Sequence, residues 1–319
     1  MEKANVDFKG WRYILDNSKP LKEKLRIETP EQIMDPEFLF KYYSLSPYNL
    51  DALIKSYLYA SHPHELNDDF DCFEHLIDLE NADDEIIKSY FKNFNTIEEI
   101  EEKFDYFKDQ FKIVFPMSLY SSFGVISLTS NILNPVMWAH YASSNHGFAV
   151  KYNSKYFHDK VIGPFPINYQ NEWLPIAFNV PSLAFLYLTN IKSDVWRYED
   201  EWRFIGAGED MSTPRYNEKI EFVTNRKFPY KKGAIEEIIL GNMFIDRINK
   251  YGENGMKVLA LTPDATYGNE KFELLNFIVD NNIKTSMIGL KEGSSTFELD
   301  TKKVEIQRID QYSFIMREE

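Results

Sequence analysis

The sequence has a single cysteine, Cys72, among 319 residues. No disulfide can form within one chain, and a zinc site that needs two thiolates from one chain is excluded. No run of about 20 apolar residues, the length that a membrane-spanning helix needs, is present. The first residues also lack the basic-then-apolar pattern of a secretory signal. These absences predict a cytoplasmic protein that does not enter a membrane.

Positive charge is also scarce. The chain has 36 Lys and Arg against 50 Asp and Glu, which gives a formal net charge of −14. A broad nucleic-acid-binding surface needs clustered cations, so the composition argues against one, and it disfavours an anionic membrane surface as a partner. A nucleotide-type small molecule in a local basic pocket remains compatible with this charge.

Aromatic residues are abundant, with 25 Phe, 20 Tyr and 5 Trp, and glycines number only 13. Large rings bury much apolar area per residue, so this composition predicts a folded core rather than disorder. The sequence contains no P-loop, no glycine-rich dinucleotide fingerprint and no nucleophile elbow. Those enzyme classes are therefore disfavoured.

Short apolar runs that are typical of strands alternate with helical patterns along the chain, and helical patterns dominate residues 67–112. This organisation predicts an α+β fold with a mixed, mostly antiparallel sheet and a helical insertion. We expect an N-terminal segment over residues 1–35, a main domain over 36–290 and a C-terminal appendage over 291–319.

The first polar segment, residues 64–72, holds four carboxylates between Glu65 and Asp71. Repulsion at this density needs compensation, which a hard cation with oxygen ligands would supply. Alternatively, Asn67 or Asp68 caps a helix and the acids lie at its positive end. Capping is the favoured interpretation because caps are common.

The second segment combines a strand that ends near Ser130 with a helix that Asn134 and Pro135 start and that carries residues 137–142. On that helix Trp138 and Tyr141 share a face, and His140 points elsewhere. His140 is a candidate base, stacking surface or phosphate contact, although a lone histidine is more often structural. Trp138 is more typical of a core residue than of a ligand platform.

The third segment, residues 196–204, is the most informative. Strand alternation would place Arg197, Glu199, Glu201 and Arg203 on one face and mainly aromatic residues on the other. The charged face is either a solvated ladder of ion pairs worth about 0–1 kcal/mol each or a carboxylate pair held for a substrate.

Five segments together resemble a bacterial domain-of-unknown-function family, numbered 2971. They are residues 40–43 (FKYY), 66–71 (LNDDFD), 129–130 (TS) with 137–142 (MWAHYA), 196–203 (WRYEDEWR) and 237–241 (EIILG). They follow the family's order and span most of the chain, with Asp69 where the family usually has proline. The resemblance implies membership but no activity.

A weaker likeness is to ADP-ribosyltransferases of the Arg–Ser–Glu type, an α+β fold. Lys41 would stand for the basic residue, residues 127–130 for the Ser-Thr-Ser strand, and Glu199 and Glu201 for the final pair. The likeness implies NAD as cofactor, with Glu201 gripping the ribose 2′-hydroxyl and Glu199 orienting or deprotonating an acceptor. The implied site residues are Glu201, Glu199, Ser130 and His140 for catalysis, and Lys41, Tyr43, Asn67, Asp68, Trp138, Tyr141 and Arg203 for cofactor binding.

We therefore predict an NAD-dependent ADP-ribosyltransferase-like enzyme or NAD glycohydrolase, with a toxin or antiphage defence effector as its candidate role. One alternative is a metal-dependent hydrolase or nuclease that uses Asp68, Asp71, His140 and the glutamate pair as ligands. Another is a non-enzymatic nucleotide-sensing or partner-binding module. The enzymatic hypotheses require these distant segments to meet in one enclosed cavity.

Overall fold

The computed structural model describes residues 3–177, 180–208, 211, 224–245, 256–260, 266–310 and 313–318. Its strands are β1 (Lys3–Phe8), β2 (Trp11–Asp16), β3 (Leu25–Glu28), β4 (Phe38–Tyr43), β5 (Tyr57–Tyr59), β6 (Ile77–Asp78), β7 (Phe123–Thr129), β8 (Phe148–Asn153), β9 (Val161–Pro166), β10 (Asn168–Gln170), β11 (Ile176–Ala177), β12 (Ile191–Ser193), β13 (Glu201–Ala207), β14 (Lys227–Pro229), β15 (Ile235–Leu240), β16 (Met256–Ala260), β17 (Thr285–Leu290), β18 (Leu299–Arg308) and β19 (Ser313–Glu318). Its α-helices are α1 (Leu21–Lys24), α2 (Pro47–Ile54), α3 (Asp84–Phe91), α4 (Ile97–Glu102), α5 (Phe104–Tyr120), α6 (Pro135–Tyr141), α7 (Pro181–Leu188) and α8 (Gly268–Asn281).

A large sheet organises the described residues. Its ten strands run in the order β16-β19-β18-β17-β15-β8-β4-β7-β13-β9. Neighbours are antiparallel except for β15 and β17, which pair in parallel. The predicted α+β class with a mixed, mostly antiparallel sheet is confirmed.

The two faces of the large sheet bury different clusters. One face packs against α2 and α8 through a continuous apolar cluster that includes Leu128 and Phe204. The other face holds two separate clusters: one contains Val125 and Ile205 with the helices α3, α5 and α7, and the other surrounds Trp138 of α6. Polar side chains lie on the sheet where these two clusters separate.

Strand register explains this polar gap. In the β7–β13 ladder, Ile205 pairs with Val125, Arg203 with Ser127 and Glu201 with Thr129. Directly paired residues of antiparallel strands project from the same face. Along both strands, that face therefore changes from apolar to charged and hydroxyl-bearing side chains.

The N-terminal segment folds as a three-stranded antiparallel sheet, β1-β2-β3. A two-residue turn joins β1 to β2, with positive φ at Lys9 (47°) and Gly10 (85°). Such turns match the twist of a hairpin. The sequence showed no clear period over these residues, and the prediction missed these strands.

The predicted helical insertion needs two corrections. The chain after Leu66 forms turns and the short strand β6, and α-helix begins only at Asp84, in α3. The last helix, α5, continues to Tyr120. The C-terminal residues belong to the large sheet rather than to a separate appendage, because β18 pairs with β17 and β19 pairs with β18.

The sequence of residues 220–223 is also typical of a strand, and these residues lie outside the described ranges. None of the helices in the described ranges is long and apolar enough to cross a membrane.

Candidate active site

The polar gap on the sheet contains a cavity of about 220 Å³, which we call the carboxylate cavity. Its wall combines polar side chains from stretches of sequence that are far apart. They are Lys41, Asn67, Ser127, Tyr141, Lys192, Glu199 and Glu201. Five of the eleven predicted site residues therefore converge here: Lys41, Asn67, Tyr141, Glu199 and Glu201.

Arg203 anchors the buried side of this cavity. Its Nη1 and Nη2 donate to the two Asp71 oxygens at 2.7 and 2.5 Å, and its Nε donates to Glu201 Oε1 at 2.7 Å. Burial would lower the pKa of Arg203, but Asp71 and Glu201 raise it well above its usual value. At 1% exposure Arg203 does not reach a ligand, so its predicted role in cofactor binding gives way to a structural one.

Lys192 of β12 bridges the two glutamates. Its Nζ lies 2.5 Å from Glu199 Oε2 and 2.9 Å from Glu201 Oε2. Sequence reasoning missed this residue, since a single lysine after an apolar run carries no motif. Its burial at 4% exposure makes it a fixed counter-charge rather than a mobile surface lysine.

The two glutamates have opposite pKa shifts. Burial raises the pKa of each, but around Glu201 the cations Arg203 and Lys192 outweigh burial and lower the pKa far below its usual value. For Glu199 burial prevails over the attraction of Lys192, and the pKa is raised. The site therefore holds one permanently ionised carboxylate and one that accepts a proton more readily.

A hydrogen-bond chain links Glu199 to the cavity rim. Tyr141 Oη donates to Glu199 Oε1 at 2.5 Å, and Asn67 Nδ2 donates to Tyr141 Oη at 2.7 Å. Asn67 is exposed and Tyr141 is half-buried, so the chain runs from solvent inward. Both predicted residues lie at the site.

Lys41 enters the cavity where two strands separate. The pairing of β4 with β7 consists of one residue pair, Phe40 with Thr129. Beyond that pair the Lys41 amine donates to the Ser127 carbonyl at 3.2 Å. Burial lowers the pKa of Lys41 to about 8, against the opposing attraction of Glu201.

The predicted single strand over residues 196–204 is wrong. Residues Asp194–Glu199 form a 3₁₀ helix, Asp200 is left-handed at φ 46°, and β13 begins only at Glu201. The turn brings Glu199 and Glu201 to the same cavity but sends Arg197 outward, where it pairs with Asp194. Because Glu199 and Glu201 are both buried, the solvated ladder is also excluded.

Two predicted catalytic residues lie outside the cavity. Ser130 is exposed, and its backbone N–H donates to the Asp200 carbonyl at 3.2 Å. The serine that lines the cavity is Ser127. His140 is exposed on α6, with its Nδ1 3.3 Å from the hydroxyl of Tyr198.

Two predicted stacking residues belong to the core. Trp138 is fully buried, and its Nε1 donates to the Ile132 carbonyl at 2.8 Å. Tyr43 stacks on Phe148 and shares a hydroxyl hydrogen bond with Tyr152 at 2.9 Å. Tyr141 is the remaining aromatic candidate for a contact with a ligand.

Asp68 neither caps a helix nor lines the carboxylate cavity. Its Oδ1 accepts from the Phe70 N–H at 3.0 Å, which stabilises a turn. Within the described ranges, no group of three or more His, Cys, Asp or Glu is placed to hold a metal ion. Asp71 and both glutamates instead face Lys192 and Arg203.

A second cavity, of about 750 Å³, lies on the other side of residues 62–75. We call it the histidine cavity, and its wall includes His62, His64, His75, Tyr120 and Trp173. His62 Nδ1 accepts from the His64 N–H at 3.1 Å, so the neutral ring carries its proton on Nε2. That buried Nε2 has no partner among the described residues, and burial lowers the pKa of His62 to about 4.

Comparison of the chain with protein-family models, with curated proteins and with solved structures finds no match. Membership of the family numbered 2971 therefore stays a prediction.

Proposed function

We propose that this protein cleaves the nicotinamide–ribose bond of NAD, as an NAD glycohydrolase or an ADP-ribosyltransferase-like enzyme. The supporting observation is the arrangement of β4, β7 and β13, which are consecutive in the large sheet. They bring Lys41, Ser127 and Glu201 to one cavity, in the chain order that the Arg–Ser–Glu type implies.

The chemistry of this bond suits the cavity. Its cleavage passes through an oxocarbenium-like state in which positive charge develops on the ribose. Fixed carboxylates in an enclosed site stabilise such charge without reorganisation. The wall of the cavity contains Glu199 and Glu201, both buried and both held by Lys192.

The size of the cavity also limits how much of the substrate it can enclose. At about 220 Å³ it lies below the roughly 300–1,000 Å³ of sites that enclose a whole drug-sized ligand. We therefore assign it to the nicotinamide–ribose half of NAD, with the adenosine half outside. Lys41 would contact a phosphate while its amine is protonated.

The proposed setting is the cytoplasm, where NAD is available. An enzyme that hydrolyses NAD without a dedicated acceptor would drain the NAD pool. A toxin or antiphage defence effector would act in this way.

The test is nicotinamide release from NAD by the wild type and by Tyr141→Phe. The substitution keeps the ring but removes the hydrogen bond to Glu199, so we expect a loss on the order of tenfold in kcat. Tyr198→Phe is the matched control, because its hydroxyl lies outside the cavity, and we expect activity within about twofold of wild type.

Two outcomes would contradict the proposal. A wild type that releases no nicotinamide would remove the enzymatic assignment. If NAD nevertheless raised the melting temperature, the nucleotide-sensing alternative would replace it, because a ligand that binds only the folded state stabilises that state.

A further inference from the structure

We infer that Glu199 is the carboxylate that contacts the substrate and accepts the proton of the attacking water, and that Glu201 is a positioning residue. This inference rests on the proposed function. It keeps the proton-accepting role that the likeness to ADP-ribosyltransferases implies for Glu199, but it replaces the implied grip of Glu201 on the ribose by a positioning role.

The hydrogen bonds of Glu201 come from two buried cations. Its Oε1 accepts from Arg203 Nε at 2.7 Å, and its Oε2 accepts from Arg203 Nη2 at 3.2 Å and Lys192 Nζ at 2.9 Å. A carboxylate offers about four lone-pair sites, so three of those of Glu201 are taken by these cations.

Glu199 differs in this respect. Within the described ranges its carboxylate accepts from two side chains, Tyr141 and Lys192, each at 2.5 Å. About two of its four lone-pair sites remain for a substrate. The side chain lines the cavity and stays fixed by these two contacts, as a general base must be.

The reaction step follows from this placement. The oxygen of water forms a bond to C1′ of the ribose while the C1′–N bond breaks and its electron pair stays with nicotinamide. The proton of the attacking water passes to Glu199 and leaves to solvent with the products. NAD and water thus give ADP-ribose, nicotinamide and one proton, and in a transferase an acceptor O–H or N–H takes the place of water.

Glu201 acts on this step through Lys192 and through its own charge. Its negative charge raises the pKa of Glu199, whereas Lys192 lowers it. Removing the charge of Glu201 would therefore lower the pKa of Glu199, because the attraction of Lys192 would no longer be opposed by a second carboxylate. The pH at which Glu199 becomes an active base would then fall.

The experiment compares Glu199→Gln, Glu199→Asp and Glu201→Gln by melting temperature and by the pH profile of nicotinamide release. We expect Glu199→Gln to lose on the order of 100-fold or more in kcat with little change in melting temperature. Glu199→Asp keeps the base and should recover part of that loss. Glu201→Gln should lower the melting temperature by on the order of 10 °C, because two buried cations lose a counter-charge.

The pH profile tests the positioning role directly. In Glu201→Gln the acidic limb of the profile should move to lower pH, which a purely structural loss would not produce. An unmoved limb would overturn the role of Glu201, and near-wild-type turnover by Glu199→Gln would overturn that of Glu199. Both results leave the proposed function intact, whereas an inactive wild type removes the proposed function and this inference together.

Discussion

Residues 62–75 contribute to the walls of both the carboxylate cavity and the histidine cavity, yet buried ionisable groups are held in opposite ways in the two. In the first, Arg203 and Lys192 are paired with Asp71, Glu199 and Glu201 at hydrogen-bond distance. In the second, no described residue forms an ion pair with the buried His62, and burial, with the positive charge of Arg226, lowers its pKa and keeps it neutral. A buried charge persists only when it is paired; otherwise the group loses its charge.

The two cavities therefore respond differently to substitution.

 In the charged network, a substitution that removes the main partner of a buried charge leaves that charge uncompensated. In the histidine cavity the His62 ring is neutral at neutral pH, so its contribution to stability depends on the pH of the solution. Three predictions test this contrast, beginning with the largest effect.

Arg203→Met tests the charged side. The substitution leaves Asp71 and Glu201 buried without their main partner, so we expect the free energy of unfolding to fall by about 3–5 kcal/mol. Urea denaturation measures the change. Arg197→Met is the control, since Arg197 is exposed and its ion pair with Asp194 should contribute under about 1 kcal/mol. Equal losses in the two variants would remove the distinction between paired interior and surface charges.

His62→Asn tests the neutral side. The folded pKa of about 4 lies below the unfolded value of 6.5, so the unfolded chain binds the proton first as pH falls. The stabilisation is present above pH 6.5 and is lost as pH falls towards 4, by about 3 kcal/mol in total. Asparagine keeps an acceptor for the His64 N–H but does not titrate, so the variant should lose less stability over this range.

Denaturation curves at several pH values measure that difference. His140→Asn is the control, because His140 is exposed, and its curve should follow the wild type. If His62→Asn follows the wild type as well, His62 does not account for the acid sensitivity.

Lys41→Arg is expected to give the smallest effect. It tests whether activity depends on the charge of Lys41 at the carboxylate cavity. Because the pKa of Lys41 is about 8, wild-type nicotinamide release should fall about threefold between pH 7.5 and 8.5 as the amine loses its proton. Arginine stays protonated throughout this range, so its activity ratio between the two pH values should remain near one. Parallel declines would show that Lys41 does not set the alkaline limb.

Some elements begin at short signals in the sequence. Ser46 followed by Pro47 is typical of a helix start, and at the start of α2 the Ser46 hydroxyl accepts from the Asn49 N–H at 3.3 Å. The capping box of Thr96 and Glu99 is present at the start of α4. Such signals involve residues within a few positions of one another, so a single sequence is enough to detect them.

The candidate site was predicted in part. Lys41, Asn67, Tyr141, Glu199 and Glu201 meet at one cavity as the hypothesis required. Their contacts depend on strand pairing across long separations, which no short pattern encodes. The proposed functions of these residues stay predictions.

The missed features have physical reasons. Asp200 has a left-handed backbone and ends the 3₁₀ helix before β13. An aspartate within an alternating pattern does not predict such a turn. Lys192 joins the site only because β12 is brought beside Glu201, and which serine of the predicted strand 127–130 lines the cavity depends on the register of β7 with β13. A lysine or serine on a buried strand has the same appearance in the sequence whatever it faces.

The Cys72 thiol can report on opening of the ion network that surrounds it. Its thiol is 1% exposed, its Sγ lies 3.9 Å from Arg203 Nη1, and burial raises its pKa well above the usual value. An alkylating reagent reaches this sulfur only when the surrounding ion network opens. Since the sequence contains one cysteine, the rate of labelling would time that opening directly, without any engineered probe.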